Sequence, residues 1–173
     1  MINITRLFDF PYFQLEKVLA GAFTIAKKLY GLTFTEIFDI DKYHDEVTTY
    51  EVKDEFGELV AIFYADFFPR KGKRNGAWMT SFKSQYIKNG KNERPHISNV
   101  CNFTKPTETK PSLLTFNEVT TLFHEFGHGL HGMLANTVYP SLSGTSVYWD
   151  FVELPSQVME NWCYEPEALA LFA

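Results

Sequence analysis

The hydrophobic positions follow a helical period at the start of the chain. Between residues 12 and 30, apolar side chains recur at three- and four-residue steps, and Gly31 follows as a helix stop. Thr33 and Glu36 have the spacing of a capping box, which predicts a further short helical turn. We therefore expect residues 12–46 to be helical.

The pattern becomes strand-like between residues 47 and 103. The segments VTTYEV and ELVAIFYADFF are rich in aromatic and branched side chains, and they flank a turn candidate at residues 53–57. This arrangement predicts a β-hairpin. Shorter strand candidates follow at residues 77–82 and 96–103, so the region predicts a small antiparallel or mixed sheet.

Helical periodicity returns in the last third of the chain. Thr115 and Glu118 form a second capping-box pattern at the start of a helix predicted over residues 115–135. Apolar residues surround much of this helix, which indicates burial on more than one side. A further helix is predicted over residues 150–173. The expected fold class is mainly α with a small β-sheet, an α+β fold in one domain over residues 1–173.

Composition and charge exclude several classes of protein. The 173 residues have the length of one domain, and 45% are hydrophobic, as in a globular protein with a core. A formal net charge of -5 argues against a nucleic-acid partner. No apolar run approaches the roughly twenty residues of a membrane span, so no membrane partner is expected. No signal peptide is evident, which predicts a cytoplasmic location with reduced cysteines.

The chemistry of the chain is concentrated in the motif His124-Glu125-Phe126-Gly127-His128 on the predicted helix. Residues four apart on a helix differ in direction by only about 40°, so both imidazoles can bind one Zn²⁺ per chain. Glu125 projects too far round to be a ligand, but it can reach a water on the metal as a general base. Two core histidines with satisfied hydrogen bonds are the structural alternative. His131 is expected to contact the ligands from outside or to face the substrate.

A catalytic zinc site needs a third protein ligand. Glu153 is the preferred candidate, because its neighbours Val152 and Leu154 predict that its carboxylate is buried. The alternative is a capping box in which Asp150 is the N-cap and Glu153 the partner. Asp150 and Glu160 are expected to orient the histidine ligands through their second ring nitrogens.

Several segments together resemble a known family. GLTFTEI, YADFFPRKGKRNGAWMTSF, NVCNF, LTFNEVTTLFHEFGHGLHGML and LSGTSVYWDFVELPSQVMENW are similar to the zinc peptidase family of thimet oligopeptidase, and most closely to its bacterial peptidyl-dipeptidase branch. The resemblance spans roughly residues 12–165. It implies that His124 and His128 are zinc ligands, that Glu153 is the third ligand, and that Glu125 is the catalytic glutamate.

The resemblance also implies a function. Members of the family hydrolyse short peptides, and this branch removes dipeptides from a free C-terminus. Their active-site helix lies in a two-lobed, mostly helical body, so this chain is expected to be a partial zincin core, defined by HExxH plus a glutamate. Its expected partners are short peptides and the remainder of the peptidase, which carries tyrosines and a histidine that stabilise the oxyanion. The alternative is a catalytically inactive zinc-binding structural module.

Three further segments have two interpretations each. The basic turn Arg70–Arg74 either attracts acidic peptide termini or nucleic acid, or is a solvated loop. One strand, at residues 77–82 or 96–103, either pairs with an extended peptide beside the zinc or is an ordinary buried strand. Ser143, Gly144 and Thr145 either approach the substrate or form a flexible loop.

Overall fold

The structure is a computed structural model that describes residues 12–173, so residues 1–11 of the predicted domain lie outside the described residues. It combines helices with a mixed sheet, which confirms the predicted α+β class. The strands are β1 (Phe13–Gln14), β2 (Thr33–Glu36), β3 (Thr48–Lys53), β4 (Leu59–Asp66), β5 (Trp78–Lys83), β6 (Tyr86–Lys88), β7 (Lys91–Glu93), β8 (His96–Val100) and β9 (Leu113–Leu114). The helices are α1 (Leu15–Tyr30), α2 (Phe116–Met133), α3 (Trp149–Val152), α4 (Leu154–Asn161) and α5 (Pro166–Leu169). Within residues 12–173, no helix is both long enough and apolar enough to cross a membrane.

Five strands form one mixed sheet in the order β2-β3-β4-β8-β5. Strand β8 runs parallel to β4, and the other pairings in this sheet are antiparallel. The predicted β3–β4 hairpin is confirmed. The Asp54 carboxylate accepts hydrogen bonds from the backbone N–H groups of Phe56 and Glu58, and Gly57 supplies the positive φ of 83°. This order leaves β5 at one edge of the sheet and β8 inside it.

Residues Thr33–Glu36 form strand β2, so the predicted helical turn at this position is wrong. The strand pairs antiparallel with β3, which places Phe34 opposite Val52. The Phe34 ring stacks on Phe23 of α1 with centroids 4.1 Å apart. Pairing with β3 and this aromatic contact outweigh the local capping-box pattern, since three of the four residues of the strand are branched or aromatic. Within residues 12–46, α1 is the one helix, so the predicted helical region is confirmed only for Leu15–Tyr30.

Helix α2 lies between the sheet and the C-terminal helices, and it is buried on more than one side as predicted. The capping box at its start is present: the Thr115 hydroxyl accepts from the Glu118 N–H, and the Glu118 carboxylate accepts from the Thr115 N–H. The core between α1, α2 and the sheet is largely aromatic and aliphatic. Its fully buried members include Val18, Ala22, Phe63, Ile97, Phe123, Phe126 and Met133.

The C-terminal region is not the single helix predicted over residues 150–173. It consists of α3, α4 and α5, with a 3-10 turn at Trp162–Tyr164 between the last two. Pro155 lies in the first turn of α4, where its missing N–H needs no helical partner. A continuous helix would lose a hydrogen bond at this proline. The break therefore falls between Val152 and Leu154, and Glu153 occupies the junction.

Candidate metal centre

His124 and His128 lie one turn apart on α2, and their rings line the same cleft. Their ring centroids are 4.8 Å apart, and the ring planes are nearly perpendicular. The His124 side chain is 26% exposed and that of His128 is 11% exposed, so a mostly buried helix presents two accessible imidazoles. Burial lowers the pKa of His128, which keeps this imidazole neutral and its lone pair available near neutral pH.

Glu153 brings its carboxylate to both imidazoles from the α3–α4 junction. Its Oε2 atom lies 3.2 Å from Nε2 of His124 and 3.2 Å from Nε2 of His128. One ligand atom from each of the three residues lies within 4.8 Å of the other two. The Glu153 side chain is 51% exposed, so the expectation that it is buried is wrong. Its apolar neighbour Leu154 is itself exposed, so that residue does not mark burial.

The alternative of a capping box between Asp150 and Glu153 is not present. Helix α3 has Tyr148 at its N-cap position, and no side chain caps its first turn. The Glu153 carboxylate instead faces α2. The structure therefore removes the purely structural explanation for the spacing of these two acidic residues.

Gly127 allows α4 to approach α2 closely enough for this arrangement. A Cβ atom at position 127 would lie 2.6 Å from the carbonyl oxygen of Pro155 and 2.6 Å from Cα of Ser156. Real side chains do not tolerate such contacts with backbone atoms. The glycine between the two histidines thus determines how near Glu153 comes to their ring nitrogens.

The three donors suit Zn²⁺. In a tetrahedral site with bonds of about 2.0 to 2.1 Å, neighbouring ligand atoms lie about 3.3 Å apart. Oε2 of Glu153 lies 3.2 Å from each imidazole Nε2, and the three ligand atoms lie within 4.8 Å of one another. Nδ1 of His124 lies 2.5 Å from Oε1 of Glu160, and a proton there leaves the Nε2 lone pair facing Glu153. Nε2 of His124 and Oε2 of Glu153 are then two acceptor atoms 3.2 Å apart, and such a pair needs a cation or a proton between its members. Two imidazoles and one carboxylate form a ligand set known from catalytic zinc sites.

Glu125 lines the cleft beside the three donors, but it does not belong to their cluster. The residue is 7% exposed, and its Oε2 atom is buried without a hydrogen-bond partner among residues 12–173. Burial raises the pKa of Glu125 to about 7, the charge of His124 lowers it, and that of Glu153 raises it. A carboxylate with such a pKa can accept and return a proton near neutral pH.

The three residues expected around the ligands have different positions. Glu160 contacts His124, as described above. Asp150 is exposed and has no hydrogen bond to either imidazole, so the structure does not support its predicted orienting role. His131 lines a neighbouring apolar groove instead of the cleft, and its ring centroid lies 5.9 Å from that of Phe151.

The cleft over the cluster has a volume of about 590 Å³ and is bounded by three segments. One wall is the start of edge strand β5 with the residue before it, another is the loop that leads into α3, and α2 forms the floor. The wall residues include Ala77, Trp78, Met79, Thr145, Val147 and Trp149. The arrangement is an open trough with two imidazoles and two carboxylates along its base.

The chain is similar to known proteins over almost its whole length. The chain matches the profile of Peptidase family M3 over residues 4–173. It belongs to peptidase family M3. This confirms the resemblance to a metallopeptidase family.

The relatives of this M3 chain include oligopeptidases and dipeptidyl carboxypeptidases. The chain is 49% identical to Oligopeptidase A of Salmonella typhimurium and 48% identical to Dipeptidyl carboxypeptidase of Escherichia coli, in each case over 94% of this chain and 24% of the relative. It is 42% identical to an organellar oligopeptidase A of Arabidopsis thaliana, over 94% of this chain and 22% of that protein. The chain therefore spans about a quarter of the length of these M3 relatives.

The basic turn before β5 is anchored in this M3 chain, so its interpretation as a solvated loop is wrong for Lys73. The Lys73 side chain is 3% exposed, and its Nζ atom donates to the Asp66 carboxylate and to the carbonyl oxygens of Phe68 and Cys101. The Asn102 amide donates to the carbonyl oxygens of residues 74 and 76. These bonds fix the approach to β5, which borders the cleft. No sequence signal distinguishes Lys73 from the basic residues around it.

The loop that contains Ser143, Gly144 and Thr145 is ordered by a buried glutamine that the sequence did not single out. Gln85 is fully buried, and its Oε1 atom accepts from the Thr137 backbone N–H and from the Ser143 hydroxyl. Gly144 has a φ of 58° and packs against Gly132 of α2. The loop is therefore held against the zinc-motif helix, and Thr145 lines the cleft.

Proposed function

We propose that this chain hydrolyses peptide bonds in short oligopeptides with one Zn²⁺ held by His124, His128 and Glu153. The observation that carries the proposal is the convergence of three donor atoms within 4.8 Å beside a buried carboxylate. Membership of a metallopeptidase family supports the same chemistry. When bound, Zn²⁺ would lower the pKa of a water molecule toward 7 and polarise the carbonyl group of the substrate.

Glu125 supplies the proton transfers in this proposal. Its carboxylate accepts a proton from the attacking water and then delivers it to the nitrogen of the leaving amine. The pKa of about 7 suits both steps, because the group exists in both protonation states near neutral pH. The buried, unpartnered Oε2 of Glu125 marks an acceptor that no other described residue uses.

Strand β5 is the proposed binding site for the main chain of the peptide. The sequence left two candidate strands, and the sheet order separates them, since β8 is paired on both sides and β5 on one. The free edge of β5 presents backbone N–H and C=O groups next to the cleft that contains the zinc donors. An extended peptide added to this edge would pass its scissile bond over Glu125 and the metal ligands.

The release of C-terminal dipeptides is the finer part of the proposal, and it rests on the family resemblance. Relatives named Oligopeptidase A and Dipeptidyl carboxypeptidase are almost equally similar to this chain, so identity does not separate the two product patterns. Mass analysis of products from one peptide with a free or an amidated C-terminus distinguishes them. Loss of cleavage on amidation supports dipeptide release, and equal cleavage contradicts it.

The proposal places these residues in a two-lobed, mostly helical zincin whose other segments cooperate with the cleft. The M3 relatives are about four times as long as the matched segment. Tyr148 and Trp149, at the entrance to α3, are 88% and 93% exposed, which suits a surface that other segments cover. The predicted cytoplasmic location and the predicted lack of nucleic-acid and membrane partners remain predictions.

One observation favours the second candidate function, a zinc-binding module without catalytic activity. Among residues 12–173, the lining of the cleft contains no tyrosine and no histidine beyond the two ligand candidates. An oxyanion donor contributes a factor of about one hundred to one thousand in rate. The 173-residue chain is thus expected to bind zinc well and to hydrolyse peptides slowly.

Hydrolysis of a short quenched-fluorescence peptide, with and without a chelator, tests the proposal together with a Glu125→Gln variant. We expect zinc-dependent cleavage in the parent chain and a loss of at least about 100-fold in the variant, with one zinc per chain retained in both. Equal activity in the variant would remove Glu125 from the mechanism. Zinc binding with no cleavage in the parent would favour the inactive module.

A further inference from the structure

Ser156 contacts the glutamate that completes the candidate metal centre. It is fully buried near the start of α4, and its hydroxyl oxygen lies 2.9 Å from Oε2 of Glu153. This is the same oxygen that lies 3.2 Å from Nε2 of both His124 and His128. A neutral hydroxyl group therefore meets the carboxylate at its metal-facing atom.

The hydroxyl has a second acceptor within reach, and the two must be compared. Ser156 Oγ lies 2.8 Å from the backbone carbonyl oxygen of Glu153, and serines in helices often bond to such a carbonyl. That carbonyl already accepts the Gln157 N–H at 2.9 Å. Oε2 of Glu153 otherwise faces the Nε2 atoms of His124 and His128, which do not donate to it when their lone pairs are free to bind a metal. Because the carbonyl already has a donor, the single hydroxyl proton is more stabilising when it points to the carboxylate.

The position of Ser156 is fixed relative to the histidine helix. Its Cα is one of the atoms that would lie 2.6 Å from a Cβ at Gly127, so the backbones of α2 and α4 are in contact at this residue. The Glu153 side chain, by contrast, is half exposed, so packing alone does not fix its rotamer. A buried donor on a packed helix can hold such a side chain in the cleft.

We propose that Ser156 is a positioning residue for the metal centre, whose hydroxyl holds Oε2 of Glu153 at the point where both imidazoles converge. The inference rests on the proposed function, because it assumes that these three residues bind Zn²⁺. Partners that orient metal ligands typically contribute 10- to 100-fold in metal affinity. We expect the same range for removal of this hydroxyl.

The test measures the zinc dissociation constant by competition with a chelating indicator, using the whole 173-residue chain. Ser156→Ala removes the hydroxyl, and Ser156→Cys keeps a similar volume with a weak donor. Thr24→Ala is the matched control, because the Thr24 hydroxyl donates only to the carbonyl oxygen of Ala20 on α1. Thermal unfolding in chelator reports the stability of each metal-free variant.

We expect the dissociation constant to rise about 10- to 100-fold in both Ser156 variants and to change less than 3-fold in the control. Values within 3-fold of the parent in a folded Ser156 variant would overturn the inference. If Ser156→Ala does not fold, Ser156→Cys decides alone.

A Glu153→Gln variant separates this result from the proposed function. If Glu153→Gln weakens binding while the Ser156 variants do not, only the positioning role fails. If the parent binds no zinc, or if the Glu153→Gln variant binds zinc as tightly as the parent, the proposed function itself fails.

Discussion

The contact at Gly127 gives the sharpest test of how the proposed metal centre is assembled. A Cβ at this position would lie 2.6 Å from backbone atoms of Pro155 and Ser156, whereas ordinary contacts begin at 3.4 Å. In a Gly127→Ala variant, α4 must therefore move away from α2 by about 0.8 Å. Metal sites keep their ligand distances within about 0.2 Å. Such a shift would withdraw the Glu153 carboxylate from the histidines.

Two effects on stability oppose each other in this variant. Alanine is favoured over glycine within a helix by about 1 kcal/mol, and overpacking costs about 1 to 3 kcal/mol. The free energy of unfolding of the metal-free chain should therefore fall by about 0 to 2 kcal/mol, which corresponds to a decrease in Tm of up to about 8 °C. The zinc dissociation constant should rise at least about 10-fold, because one of three ligands is displaced.

Gly129→Ala provides the control on the same helix. A Cβ there would lie 2.5 Å from Oδ1 of Asn99, the end of a side chain on the sheet, and the three atoms nearest to it all belong to side chains of the sheet. The helix preference for alanine is identical, so the two variants compare a contact with the backbone of α4 to a contact with the sheet. Thermal unfolding in chelator and zinc competition are measured on both. Zinc affinity that stays within 3-fold of the parent in Gly127→Ala would show that the α2–α4 contact does not position Glu153.

The remaining predictions concern the buried charges that anchor the approach to β5. Lys73→Met should lower the free energy of unfolding by about 1 to 3 kcal/mol in urea titrations, because Asp66 and the buried carbonyl of Cys101 lose a donor while Arg70 still pairs with Asp66; a loss below about 1 kcal/mol would contradict this. Burial alone raises the pKa of Asp66, but hydrogen bonds from Arg70, Lys73 and Tyr43 bring it below its usual value. The stability advantage of the parent over Asp66→Asn should thus be full above about pH 4 and shrink as the pH falls through the lower folded value. An advantage that stays constant from about pH 7 to pH 2 would exclude this linkage.

The part of the site that the sequence could predict is the part that one helix determines. His124, Glu125 and His128 lie within five residues, so the 3.6-residue period alone sets their directions. The capping box at Thr115 and Glu118 can be predicted from the sequence for the same reason, since its partners lie three residues apart. Local patterns suffice where the interacting groups share one regular element.

Features that depend on distant segments could not be read in this way. The Thr33–Glu36 pattern satisfies the rules for a helix start, but pairing with β3 makes it a strand. Lys73 resembles the other basic residues of its turn, yet it is buried because Asp66 and the carbonyl of Cys101 lie beside it in the fold. Nothing local distinguishes β5 from β8, because their places in the sheet depend on the parallel pairing of β8 with β4.

Glu153 lies beside the two histidines as expected, but the reason for which the sequence favours it is wrong. Val152 and Leu154 are apolar, which predicts that they are core residues and that the carboxylate between them is buried. In the structure Leu154 is 52% exposed, and Trp149 and Val158 nearby are exposed as well. Apolar residues of this stretch form a surface, and a hydrophobic pattern cannot separate a core from a surface. What places Glu153 at the histidines is the break before Pro155 together with the missing side chain of Gly127, two features that concern backbone geometry and not hydrophobicity.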